Sequence, residues 1–134
     1  MPVKKREFFQ IVAEEDIVKA RKAVREAAVA GGCRLVDQTK LVTAASEIAR
    51  NVLQYGRGGT MLLERLEEHG REGVRLVFDD QGPGIPDVEL ALKDGFTSGC
   101  GLGLGLGGAK RLVHEFSLET KVQSGTRVTL THWK

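Results

Sequence analysis

Three short stretches of this sequence carry residue types that chemistry uses. In "EIARN", Glu47 and Asn51 are four positions apart, so on a helix they stack one above the other. An Asn oxygen can ligate a hard cation such as Mg²⁺, which keeps several waters and needs few protein ligands. A Glu beside it can orient or deprotonate a hydroxyl. Taken alone, the pair also reads as the solvated stripe of an amphipathic helix.

The second stretch, "VRLVFDDQGPGI", ends an apolar run in two aspartates and a turn built on Gly82, Pro83 and Gly84. A carboxylate at such a strand end, facing a pocket, can accept a hydrogen bond from the exocyclic amine of a base. Glycines beside it remove Cβ atoms, so a flat ring can approach the backbone. A tight turn with Asp and Gly in their usual places is the plainer reading.

The third stretch, "GCGLGLGLGG" over 99–108, has six glycines in ten positions. It contains the G-x-G-x-x-G pattern of dinucleotide-binding folds, but it does not follow the first strand of a βαβ unit, and only hairpin material lies beyond it. A Walker A loop fails too, because Ala109-Lys110 stands where Gly-Lys-Ser/Thr is required. A flexible linker would not intersperse leucines and run into "AKRLVHEF". What survives is a general mechanism: successive backbone N–H groups leading into a helix N-terminus attract phosphate.

The elements that must position these residues are legible in outline. "REFFQIVAE" (6–14) reads as a strand. Asp16 is expected to cap a helix that stops at Gly31-Gly32, and Asp37 a longer one that runs to about Tyr55 and ends at Gly56. At about 100° per residue, Leu41, Ala45, Ile48, Val52 and Tyr55 share one face of that helix, widened by Val42, Ala49 and Leu53. Thr43, Glu47, Arg50, Asn51 and Gln54 are left as a polar sector. "GGTMLLERLEEHG" and "REGVRLVFDD" are two expected strands joined near Gly70-Arg71, the first also arguable as a short helix. A short helix over 87–93, a helical segment to about Glu115 and a hairpin turning at Ser124-Gly125 complete the chain. The order β-α-α-β-β-α-α-β-β predicts a two-layer α/β (α+β) sandwich, a mixed, mostly antiparallel sheet with helices on one face.

Composition narrows the function classes. A chain of 134 residues, 41% hydrophobic and 28% charged, fits one globular domain. Its 20 basic and 18 acidic residues are too balanced, and the basic ones too scattered, for a nucleic-acid binder. No apolar run approaches the ~18 residues of a membrane span, and the basic start "MPVKKREFF" has no apolar signal region. Cys33 and Cys100, without metal-ligand spacing, read as free thiols of a cytoplasmic protein.

The three motifs together are more specific than any one. "EIARN" (47–51), "DQGPG" (80–84) and "GLGLGLG" (101–107) resemble, in order and spacing, the N, G1 and G2 boxes of the GHKL ATPase/kinase superfamily with its Bergerat fold, over almost the whole chain. "DQGPGIP", "DGFTS", "GLGLGLGGAKRL" and "SGTRVT" resemble its anti-sigma and serine-kinase branch, whose stressosome members switch partners. The resemblance implies that Asn51 holds the Mg²⁺ bridging the phosphates of ATP and that Asp80 accepts from the adenine amine, with Gly82 and Gly84 making room. It implies that Gly101, Gly103 and Gly105 present N–H groups to the phosphates, that 94–100 forms a short lid, and that Glu47 is the catalytic glutamate. Histidine kinases generally carry Asn at the position of Glu47, and Lys, Arg or His at that of Gln54, so this chain departs from them. Implied partners are STAS-domain antagonist and scaffold proteins of the stressosome as substrates, and a PP2C-type phosphatase to activate. The alternatives are an anti-sigma factor kinase that sequesters a sigma factor, and an ATP-binding module without transfer. No cation for the γ-phosphate stands out; Arg50, Lys93, Lys110 and Arg111 are candidates.

Overall fold

The computed structural model describes residues 3–84 and 106–134. The expected helix over 87–93, the lid over 94–100, Cys100, and the phosphate-loop glycines Gly101, Gly103 and Gly105 lie outside the described residues.

The chain opens with strand β1 (Val3–Ile11), then helices α1 (Glu14–Ala30) and α2 (Leu35–Gln54). Strands β2 (Gly59–Glu68) and β3 (Arg71–Asp80) follow, and after them helix α3 (Leu106–Leu112) and strands β4 (Glu115–Lys121) and β5 (Gly125–Trp133). The five strands form one sheet in the order β1-β2-β3-β5-β4. Every pairing is antiparallel, so the mixed character expected from the element order is absent among these strands. β2 is a strand and not a helix, because its hairpin with β3 turns on His69 and Gly70. Both have positive φ, 53° and 79°, the two-residue geometry whose twist matches the flanking strands.

The helices lie on one face of the sheet and the core sits between. Ile17, Ala20, Val24, Ala27 and Ala28 are the buried stripe of α1. α2 buries Leu41, Val42, Ala45, Ile48, Ala49 and Val52 against Met61, Leu63, Leu76, Phe78 and Leu130 of the sheet. Alternation along β3 sends Val74, Leu76 and Phe78 inward and carries the same parity to Asp80, so the strand that builds the core also delivers a carboxylate at its end.

Two expected caps take a different form. Asp16 is the third helical residue, not the cap: its Oδ2 accepts from the backbone N–H of Ala13 and Val12, each at 3.0 Å. That is the reciprocal half of a capping box, and Ala13 has no side-chain acceptor to supply the other half. Asp37 likewise lies in the first turn of α2 behind the cap position at Arg34, where a negative charge suits the helix dipole. The last hairpin turns through Val122, Gln123 and Ser124 rather than at Ser124-Gly125, since Lys121 pairs directly with Gly125.

Candidate functional site

The site forms where the C-terminal end of α2 meets the ends of β3 and β5. α2 ends in a doubled lock: the backbone carbonyl of Asn51 accepts from the N–H of Tyr55 at 2.9 Å and of Gly56 at 3.1 Å. Holding that carbonyl fixes the Cα of Asn51 and hence the direction of its side chain. β3 ends at Asp80, flanked in the sheet by Gly59 on one side and Thr126 on the other.

Between them is a cavity with apolar walls. Ile48, Val52, Phe78, Leu106 and Val128 make the walls, and Asn51, Asp80, Gly84 and Thr126 supply the polar groups. Such a pocket, apolar with a few placed polar atoms, takes a flat ligand and fixes its orientation. Burial raises the Asp80 carboxyl above the usual carboxylate range, and backbone N–H groups of Gly82 and Thr126 pull it part of the way back. The Gly82 N–H donates to Asp80 Oδ1 at 2.9 Å. These two amides stabilise the ionised form in a poorly solvated place, so Asp80 is oriented and able to accept from an amine.

Of the residues singled out by sequence, Asn51, Asp80 and Gly84 share the cavity, and Gly82 is bonded to Asp80. The chain's own packing also requires glycine at both Gly82 and Gly84. A Cβ on Gly82 would stand 2.7 Å from the Cα of Gly56, and one on Gly84 would collide with the carbonyl of Lys121. Glu47 does not line the cavity. It lies one helical turn before Asn51, about 6 Å along the axis, partly exposed and 3.4 Å from Arg50 Nη1.

Sequence reasoning missed Gly56 and Thr126. The signal for Gly56 was present, since "GRGG" follows the helix, but it read only as a stop. Thr126 stands in "SGTRVT", which marks the family but not a site role; it joins the site through its cross-strand pairing with Asp80.

Among the described residues no group of three or more His, Cys, Asp or Glu could hold a metal. The polar side chains that line the cavity, Asn51 and Asp80 among them, offer hard oxygen donors. That set suits Mg²⁺ shared between few protein atoms, substrate phosphates and water, and does not suit a softer metal. Cys33 is a free thiol, buried, with its pKa pushed up by desolvation. No described helix is long and apolar enough to cross a membrane.

Comparison with known proteins agrees with this geometry. Residues 36–134 match the family model described as histidine kinase-, DNA gyrase B- and HSP90-like ATPase. The chain is 42% identical over 124 residues to the serine/threonine-protein kinase RsbT of Bacillus subtilis (strain 168), covering 92% of this chain and 93% of that protein. It is 38% identical over 89 residues to the sensor histidine kinase GtrS of Pseudomonas aeruginosa, of which the match spans 18%. The crystal structure of the RsbU and RsbW domains of Rv1364c from Mycobacterium tuberculosis superposes with a TM-score of 0.65 at 22% identity, over all of this chain and 33% of that one. At that identity it shows the fold, an α/β sandwich of the same kind. The ATPase domain and the likeness to a serine/threonine kinase over nearly the full chain fit an ATP-dependent kinase. The chain belongs to the histidine kinase-, DNA gyrase B- and HSP90-like ATPases, the GHKL family.

Proposed function

We propose that the chain is a protein-serine/threonine kinase that takes the γ-phosphate from ATP in the cavity between α2 and β3. The observation that carries this reading is the convergence of Asn51, Asp80 and Thr126 on one apolar pocket, from elements distant in sequence. Asp80 accepts from the adenine amine, and the apolar walls exclude water from the ring. Asn51 would hold Mg²⁺, which would supply neutralisation of phosphate charge when bound. Gly101, Gly103 and Gly105 are proposed as amide donors to the phosphates from the motif alone.

Glu47 is the proposed base. The hydroxyl oxygen of a Ser or Thr bonds to the γ-phosphorus, and the bond from that phosphorus to the bridging oxygen breaks. ADP leaves, and the hydroxyl proton passes to the Glu47 carboxylate. Positioning and charge neutralisation supply most of the rate in such transfers, and a base adds roughly 10²–10⁴-fold.

The proposed substrates are STAS-domain proteins of a stressosome, with a PP2C-type phosphatase as the partner taken up after transfer and the cytoplasm as the place of action. The likeness to RsbT supports this choice. The test is incubation of the chain with γ-labelled Mg·ATP and a purified stressosome STAS protein. Label on a Ser or Thr is the expected result. Tight ATP binding with no transfer to any such protein would contradict it and favour sequestration of a sigma factor.

A further inference from the structure

Arg50 stands next to Asn51 in the polar sector of α2, and its one described partner is Glu47, held by a single contact of 3.4 Å. Guanidinium and carboxylate side chains are 45% and 37% exposed. A loose exposed pair of this kind adds little to stability, and an Arg in a structural role prefers a shorter, two-pronged contact. Arg75–Glu64 and Arg127–Asp79 are tighter, both at 2.6 Å, while Arg34–Asp37 is another loose exposed pair at 3.7 Å. The Arg50–Glu47 contact is easily exchanged, and it sits on the group proposed as the base.

Its placement along α2 gives the exchange a direction. Tyr55 and Gly56, with Asp80, form one end of the cavity, and Asn51 lines it nearer the middle of the helix. From Tyr55 back to Glu47 is eight residues, roughly 12 Å of rise. That is the scale separating a purine from the terminal phosphate of its triphosphate. A nucleotide with its base on Asp80 and its phosphates near Asn51 therefore carries its γ-phosphate toward Glu47 and Arg50. Of the other basic candidates, Lys93 lies outside the described residues, and Lys110 and Arg111 lie on α3, with no described contact to Glu47.

We infer that Arg50 is a γ-phosphate latch: without a triphosphate it rests on Glu47, and with one it moves to the γ-phosphoryl oxygens. This deepens the kinase reading and rests on it. A phosphate offers more negative charge and three oxygens, so it outcompetes the single carboxylate contact. The move does two things at once. It places a fixed positive charge where the transferring group needs one, and it releases the Glu47 carboxylate to accept the hydroxyl proton. Nothing in the bond-making sequence changes. A diphosphate does not reach Arg50, and Glu47 stays masked.

The experiment is equilibrium binding of Mg·ADP and of the non-hydrolysable β,γ-imido analogue of Mg·ATP to four proteins: wild type, Arg50→Ala, Glu47→Gln and the double variant. For wild type, tighter binding of the analogue is expected. Arg50→Ala should weaken the analogue by about tenfold, the lower end for one charged hydrogen bond, and leave ADP unchanged, which also shows that the variant is folded. Glu47→Gln should tighten the analogue severalfold by freeing Arg50, and that gain should vanish in the double variant. If the gain persisted there, relief of charge repulsion would explain it, and the latch would be wrong. An analogue-to-ADP preference unchanged in Arg50→Ala would overturn the latch alone. Wild type binding neither nucleotide would overturn the kinase reading and the latch with it.

Discussion

The carboxyl group of Asp80 lies against the bare Cα of Gly56: a Cβ built there would stand 2.5 Å from Asp80 Cγ. The turn that ends α2 is thus part of the mould for the base-recognising carboxylate. Gly56→Ala should tilt Asp80 away from the Gly82 and Thr126 amides. The expected result is a fall in adenine-nucleotide affinity of about 10–100-fold, from a misdirected charged hydrogen bond. Overpacking should cost about 1–3 kcal/mol of stability as well. Titration calorimetry and thermal unfolding of the same variant measure both.

Asn51 separates the metal from the base in the account. Asn51→Ala should bind ATP with nearly the same affinity in Mg²⁺ and in EDTA, whereas wild type should prefer Mg²⁺. Adenosine, which carries no phosphate, should bind both proteins alike. Measuring all three ligands against each protein checks that Asn51 acts through the phosphates.

His132 predicts how stability responds to acid. It is buried, and that burial, with the His114 ring tilted against it at 4.3 Å and Lys40 adding a smaller effect, lowers its pKa below the ordinary 6.5, while Asp37 at 3.6 Å opposes the shift. A depressed folded pKa means that the unfolded chain takes the proton first. The stability contributed by neutral His132 is therefore complete above pH 6.5 and is lost as pH falls toward the depressed value. Urea unfolding of wild type and His132→Leu across that window should show a shallower acid loss in the variant.

The outer face of the sheet offers an asymmetry. Glu64 is nearly buried between Arg6 and Arg75; burial pushes its pKa up, but hydrogen bonds from Arg75 and Arg6 outweigh this and hold it below the ordinary value. Removing Arg75 leaves the buried carboxylate with Arg6 as its remaining described guanidinium partner, whereas removing Glu64 leaves two guanidinium groups that can turn to water. Arg75→Met should cost about 1.5–3 kcal/mol, the loss of charged hydrogen bonds, and Glu64→Leu clearly less. Chemical denaturation of the two variants decides between this order and its reverse.

These outcomes also mark what the sequence could and could not show. Residues acting through local pattern were legible: the buried face of α2, the strand that ends in Asp80, and the polar sector with Glu47 and Asn51. Misplacements came where two local rules compete. Asp16 and Asp37 carry cap chemistry, yet each serves from the first turn because the cap position falls on Ala13 and Arg34. Contributions made across strands or by close approach left little trace. Thr126 enters the site only through the register of β5 on β3, and Gly56 only through its contact with Asp80. Nothing within "DQGPG" shows that Gly82 is pressed on Gly56.

The most direct test of the central claim is the split between binding and transfer in Glu47→Gln. The variant should bind Mg·ATP at least as tightly as wild type, while phosphotransfer to a STAS-domain protein falls by roughly 10²–10⁴-fold. Transfer at the wild-type rate, or transfer lost together with nucleotide binding, would contradict the assignment of Glu47 as the base beside an ATP site.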